Sequence, residues 1–348
     1  MSNTKSTVLS IITTSYKFYR NHYPEEYGGS GGDWVGTHIC IEELSRADIT
    51  VATIQDGTTS LCGQELFTFS TEEQKQKWLK PLLEGKCTTG FALTESDSGS
   101  DSGALQTTAV LDGDEYVING TKQFITNIAL KNASICIVAA VSGQNQKGKN
   151  IISTFIVPTD NPGMILGKKY KKIGMNAAPA SELVFKDCRV SKENLLGDPK
   201  RGLAQHLSVL ETGRISAAAM CVGLAQACLD ESLSYAKKRV QFSQPIFNFQ
   251  GIQFKLADMA VSIELDRNAY LKAAWLKDQG KPHTFEANVA KLYASEMAEK
   301  VASDAVQIHG GSGYMDECPV SRHYKAAKCT QILEGTSEVL RMVIARSL

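Results

Sequence analysis

The spacing of apolar and polar residues divides the chain into three textures. Residues 36–86 follow a helical period. In "THICIEELSRAD" it puts Ile39, Ile41 and Leu44 on one face. "STEEQKQKWLKPLLEGK" opens with Ser70 or Thr71 as an N-cap and acids in the first turn, which marks a helix start. From about 88 to 198 the period shortens to two. "AVLDGDEYVINGTKQFIT" alternates around an Asp-Gly and an Asn-Gly, predicting hairpin turns at both. "ASICIVAAV", "IISTFIVPT" and "SELVFKDCRV" are further strands. Beyond residue 201 long helical stripes return. Leu203, Leu207, Leu210, Val222, Ala225, Leu229, Leu233 and Ala236 form one. Ile252, Leu256, Met259, Ile263, Tyr270 and Ala274 form a second, and "FEANVAKLYASEMAEKVASDAVQIH" a third. Stripes of this length without proline predict a helical bundle. The order is helices, strands, helices, so the chain is α+β and mostly α, without a βαβ alternation.

Composition removes several function classes. The 37 basic and 37 acidic side chains cancel, so no global field draws nucleic acid or an anionic membrane. No run of about 18 apolar residues exists, so no membrane span is expected. The nine cysteines contain no CxxC and read as reduced thiols of an intracellular, cytoplasmic protein. The six histidines lack metal-ligand spacing, and no metal is expected. No Walker motif or GxGxxG follows a strand, against a P-loop or Rossmann protein. Residues 1–22 contain no acid and several Ser and Thr, as transit peptides do; the single Arg and the lack of a cleavage-like site argue against that role.

Five segments offer candidate chemistry. "FALTESDSGSD" (91–101) is a strand running into a Gly/Ser/Asp loop, either a surface turn or a phosphate-binding backbone. "QFITN" (123–127) places Phe124 and Thr126 on one side of a strand, as core or as cover for a planar cofactor. Arg239 closes a helix, where a cation is favoured anyway, and it could also reach a phosphate. "QIHGGSGY" (307–314) is a helix cap or a close backbone approach to a ligand. In "QILEGTSEVLRMVIAR" (331–346), Thr336, Ser337 and Glu338 suit a helix start, while Glu334 stands before it with no structural job.

These blocks, in this order from "YPEEYGGSGG" (23–32) to the end, resemble the acyl-CoA dehydrogenase family of flavoproteins. The resemblance implies an N-terminal helical domain (1–87), a middle β-barrel or sandwich domain (88–200) and a C-terminal four-helix bundle (201–348). It implies FAD as cofactor, an acyl-CoA substrate, a homo-oligomer (dimer or tetramer) and an electron-transferring flavoprotein as acceptor. The matching positions put Phe91, Leu93 and Thr94 against the flavin, and Ser100 near flavin or CoA. Phe124, Ile125 and Thr126 line the ring. Arg239, Phe242, Gln250, Gln307, Gly310 and Gly311 meet the FAD of a neighbouring subunit, and Thr336 and Glu338 meet FAD phosphate or ribose at a helix N-terminus. Glu334 matches the catalytic base, which removes the α-proton of the thioester as a hydride leaves Cβ. Burial under the acyl chain is expected to strengthen that base. The Glu334 backbone N–H is expected to help stabilise the enolate oxygen. Glu211, Arg214 and Gly335 match positions near the substrate and its loop. Members that carry the base on the long helix hold it where this chain has Gly213, which cannot serve.

The chain departs from the family pattern in four places. Residues 1–22 hold at most one helix where members carry two, so the N-terminus is read as shortened. Ser243 replaces a usual Gly, Lys325 and Ala326 an Arg-Asp pair, and Leu333 a Tyr. The expected activity is dehydrogenation of a short-chain or short branched-chain acyl-CoA. An enoyl-CoA reductase or redox-neutral lyase on the same fold, and an FAD-free scaffold, are the alternatives. A mitochondrial matrix location would replace the cytoplasm in a eukaryote.

Overall fold

The computed structural model describes residues 20–348. Most of the leader-like stretch, and with it the question of missing N-terminal helices, lies outside the described residues. In chain order the helices are α1 (Trp34–Asp56), α2 (Gln64–Phe69), α3 (Glu72–Gln74), α4 (Lys80–Leu83), α5 (Gly202–Lys238), α6 (Gln250–Asp278), α7 (Thr284–His309), α8 (Pro319–Thr330) and α9 (Ser337–Arg346). The strands are β1 (Thr88–Ala92), β2 (Thr108–Asp112), β3 (Glu115–Thr126), β4 (Ala133–Gln144), β5 (Asn150–Pro158), β6 (Met164–Lys169), β7 (Ala180–Ser191), β8 (Leu195–Leu196), β9 (Val240–Gln241) and β10 (Gln244–Pro245). The chain forms two compact units. One comprises residues up to 32, 54–171 and 176–212; the other comprises 33–53, 172–175 and 213–348.

The first unit is built on an eight-stranded sheet, ordered β6-β7-β3-β2-β4-β5-β8, with β1 paired to β4. β1 and β2 run parallel to β4, and the other pairs are antiparallel. Ile118, Ile125, Phe155, Leu183 and Phe185 fill one face. Asp-Gly makes the expected turn: Asp112 pairs with Glu115 across Gly113 (φ +64°) and Asp114. Asn119-Gly120 does not. It lies inside β3, where the register to β7 shifts between Ile118 and Gly120. Gly120 has φ +149°, and a Cβ there would meet the Thr107 hydroxyl at 2.5 Å. The glycine serves a bulge and a close approach rather than a turn. β6, "MILGKK", lacks clean alternation and was not anticipated. Ahead of the sheet, Thr71 caps α3 in a capping box with Gln74, and a wide π-type turn, Lys75–Leu79, carries the chain to α4.

In the second unit α7 packs against α6, α8 and α9. Its buried face is rich in alanine (Ala287, Ala290, Ala294, Ala298), which lets helices approach closely. The α1 segment belongs to this unit up to Thr53. Gly223 of α5 is required there, since a Cβ would stand 2.1 Å from the Glu42 carbonyl. Ile41 is buried as expected, but Ile39 is exposed, being two residues and about 200° away around the helix. Leu207 of α5 is likewise exposed. α5 is long and apolar enough by composition to cross a membrane, yet 78% of that window is buried inside the protein. It reads as a core helix. All nine cysteines are free thiols.

Candidate active site

In the first unit the candidate residues stand where β1 and β3 end. The Gln123 N–H donates to the Thr94 carbonyl at 2.8 Å, tying the two ends together. Behind them Lys122 Nζ donates to Glu95 Oε1 (2.7 Å) and to the Leu93 carbonyl (3.1 Å). The Gln106 N–H donates to the other oxygen, Oε2, at 2.7 Å, and the Thr107 N–H shares Oε1 with Lys122 at 3.1 Å. Burial pushes this carboxyl up, but Lys122 and the Thr107 and Gln106 hydrogen bonds outweigh it and hold the group below its ordinary value. Neither residue was foreseen. A Lys inside an alternating strand and a Glu just past another were the available signals.

Phe124 sits in a second irregularity of β3, between Lys122 and Ile125, with φ +60°. Strand alternation therefore does not carry across it. The bulge turns the Phe124 ring outward, 58% exposed and 4.9 Å from the Tyr170 ring. Thr126 is half-exposed beside it, and Ile125 is buried in the sheet core, leaving only its backbone for a ligand. Asn127 anchors the strand end by donating to the Ile54 carbonyl at 2.8 Å. Leu93 is buried and Thr94 half-buried. Phe91 turns inward, its ring 4.6 Å from the buried His206 imidazole, which meets Glu65 Oε1 at 2.5 Å. Ser100 is exposed on the loop, and Glu211 is half-buried on α5.

In the second unit the α8–α9 link, residues 331–336, forms the other candidate cluster. Leu333 and Ile332 donate their N–H groups to the Cys329 carbonyl, and the Ser337 N–H returns to the Gln331 carbonyl at 3.1 Å. Between these ties the backbone turns left-handed twice, at Glu334 (φ +55°) and Gly335 (φ +105°). The first is uncommon for a residue with a side chain. Two cationic side chains hold the turn. Arg214 Nε donates to the Glu334 carbonyl at 3.3 Å, and Lys291 Nζ to the Gly335 carbonyl at 2.6 Å. Thr336 caps α9, its hydroxyl accepting from the Val339 N–H at 3.3 Å. Glu338 is held below its usual range by hydrogen bonds from its own backbone N–H and from Thr336. Gln331, Thr336 and Glu338 border a groove of about 230 Å³ at the start of α9. Gly213 is helical and buried in α5. Leu333 packs on the helical core, and Ala326 fills a buried site beside Gly174. Lys325 pairs with Asp316, so losing the usual acid leaves no stray cation there.

At the far end of α7, the Tyr235 and His309 rings stack with centroids 4.3 Å apart. They bring the C-terminus of α5, with Arg239, to the glycine turn that follows Gln307. Arg239 and Gln307 are exposed, and Arg239 has no carboxylate partner among the described residues. Gly310 and Gly311 face open space. Phe242 is 90% exposed on the β9–β10 hairpin, and Gln250 is exposed at the start of α6.

Models of the acyl-CoA dehydrogenase N-terminal, middle and C-terminal domains match residues 15–86, 90–188 and 200–348. The chain belongs to the acyl-CoA dehydrogenase family. It is 53% identical over 326 residues to the probable acyl-CoA dehydrogenase YngJ of Bacillus subtilis, covering 94% of this chain and 85% of that one. The structure of butyryl-CoA dehydrogenase from Megasphaera elsdenii superposes with a TM-score of 0.94 at 43% identity, over 97% of this chain and 88% of that one. An acyl-CoA dehydrogenase from Bacillus anthracis complexed with FAD superposes with a TM-score of 0.93 at 32% identity, over 99% and 61%. The chain's own groups suit such a cofactor: an outward aromatic at Phe124, an available cation at Arg239 and open glycine backbone at Gly310 and Gly311.

Proposed function

We propose that the chain catalyses FAD-dependent α,β-dehydrogenation of a short-chain acyl-CoA to the trans-2-enoyl-CoA, with Glu334 as base. The carrying observation is the Glu334 loop: a carboxylate residue in left-handed backbone whose own carbonyl, and the next, are held by Arg214 and Lys291. Ordinary helix capping is complete without it, since Thr336 supplies the cap. Bound FAD supplies the two-electron acceptor for the β-hydride. Phe124, Thr126 and the Thr94 backbone present the flavin-ring face, and Arg239, Gln307 and Gly311 reach the FAD of a neighbouring subunit. Glu334 takes the α-proton, and its backbone N–H donates to the thioester oxygen as charge develops there. Arg214 keeps the peptide after Glu334 in register. Butyryl-CoA is the substrate class favoured by the Megasphaera relative, and an electron-transferring flavoprotein is the acceptor implied by the family. A homo-oligomer follows from the same resemblance.

Anaerobic titration tests this. The purified protein should be yellow, and butyryl-CoA should bleach its visible flavin band. Glu334→Gln should retain the flavin and lose about 10²–10⁴-fold in turnover. A yellow protein that saturated acyl-CoA never bleaches would turn the assignment toward reductase or lyase chemistry. A protein that refuses FAD would end it.

A further inference from the structure

Lys291 occupies the apolar face of α7, among Ala287, Ala290 and Ala294, with no exposed surface. A lysine is rarely found there. It forms no ion pair with a carboxylate among the described residues. Its amino group reaches instead to the Gly335 carbonyl, 2.6 Å away. The charged and titratable groups facing it are Cys221 and Arg214 on α5, Cys329 on α8 and Glu334 on the loop. Burial lowers its proton affinity, and Cys221 and Glu334 act in the opposite sense.

The position of that one hydrogen bond is informative. Gly335 is the freest residue of the loop, and its φ of +105° is open to glycine without strain. Arg214 holds the peptide before it through the Glu334 carbonyl, and Lys291 the peptide after it. With both planes tied, the glycine loses its freedom and the Glu334 backbone has one resting place. The Lys291 bond, at 2.6 Å, is short for an N–H donor on a carbonyl, and the Arg214 Nε bond is 3.3 Å.

We infer that Lys291 is a positioning residue for the reaction: by donating to the Gly335 carbonyl from inside the bundle, it sets where the Glu334 carboxylate meets the substrate α-carbon. This rests on the reading of Glu334 as base. Displacing a reacting group by about 1 Å costs roughly 10²-fold.

The test compares Lys291→Met, which keeps the length and loses the donor, with Lys291→Arg, which keeps a donor. Flavin content, KM for butyryl-CoA, kcat and the kinetic isotope effect with α-deuterated butyryl-CoA are measured. The Met variant should keep its flavin and its KM, and lose about 10²-fold in kcat. Its α-deuterium effect should rise as proton removal becomes limiting, and Lys291→Arg should recover part of the rate. An unchanged kcat and isotope effect in folded Lys291→Met would overturn the inference. So would a rate loss that only tracks flavin loss, or Met and Arg variants that both fail to fold, since the lysine would then be plain structure. Glu334→Gln is run alongside: if it turns over normally, the base assignment has failed, whatever Lys291→Met does.

Discussion

Lys122 in the sheet unit and Lys291 in the helical unit are both wholly removed from solvent, but by different means. Lys122 has a buried carboxylate at 2.7 Å and a carbonyl at 3.1 Å, and its partner Glu95 is further satisfied by two backbone amides. Charge stands against charge, and three donors share the carboxylate. Lys291 has one carbonyl and no ion pair among the described residues. Burial lowers both ammonium pKa values, and only Lys122 has a hydrogen-bonded carboxylate raising its own back. A buried pair of the first kind holds β1, β3 and the connecting loop in place. A buried amine of the second kind brings a desolvation cost with little electrostatic return. Its retention is better explained by what it holds than by what it stabilises.

The comparison breaks most sharply at the first site. Lys122→Met leaves the Glu95 carboxylate buried without its cation. The expected loss is about 3–5 kcal/mol, read from chemical denaturation. Adding Glu95→Leu should recover much of it, because removing both charges removes the desolvation cost as well. Lys291→Met should cost far less stability while lowering turnover. If the two single variants are equally destabilised, the distinction between structural pair and positioning amine disappears.

His323 on α8 measures, in an accessible pH range, what burial costs a base in the helical unit. Burial lowers its pKa from 6.5 to about 4, Arg322 adds to the fall, and Asp48 opposes it. Below pH 6.5 the unfolded chain takes up a proton that the folded one refuses. Stability from this group is therefore full above about pH 6.5 and lost as pH falls toward 4, by about 3 kcal/mol at the acid end. His323→Gln should flatten the melting temperature between those limits. A profile as steep as that of the unchanged protein would show that other groups carry the acid loss.

The unevenness of what the sequence revealed has the same physical root. Long stripes such as Leu256, Met259, Ile263 and Tyr270 were legible because one face of a helix has one environment. Glu334 was legible because local capping chemistry, complete in Thr336, left it over. Lys291 was not, since a lysine in a helix ordinarily lies on the wet side, and only packing reveals otherwise. Asn119-Gly120 misled for a related reason. The pair commonly marks a turn, but here the glycine answers to Thr107, thirteen residues back along the chain, which local patterning does not register. The Phe124 bulge is equally invisible, because two-residue alternation is assumed in reading any strand.

The smallest effect concerns left-handed backbone, which the loop at Glu334 shares with an exposed hairpin. Phe242 and Ser243 link β9 to β10 with φ of +49° and +63°. Such a two-residue hairpin favours Gly, Asn or Asp, and each ordinary residue there costs roughly 1–2 kcal/mol. Glu334 has two side-chain donors on the carbonyls of its turn, whereas this hairpin has the Ile246–Arg239 bond and its own short pairing. Ser243→Gly should therefore release strain at once. The added glycine also gains freedom in the unfolded chain, which takes back about 0.5–1 kcal/mol. The net gain should be a few tenths to about 1 kcal/mol, raising the melting temperature by roughly 1–2 °C for a chain of this size. A drop instead would mean that the Ser243 side chain makes a contact outweighing its strain, and that left-handed residues in this protein are supported on the surface as firmly as in the core.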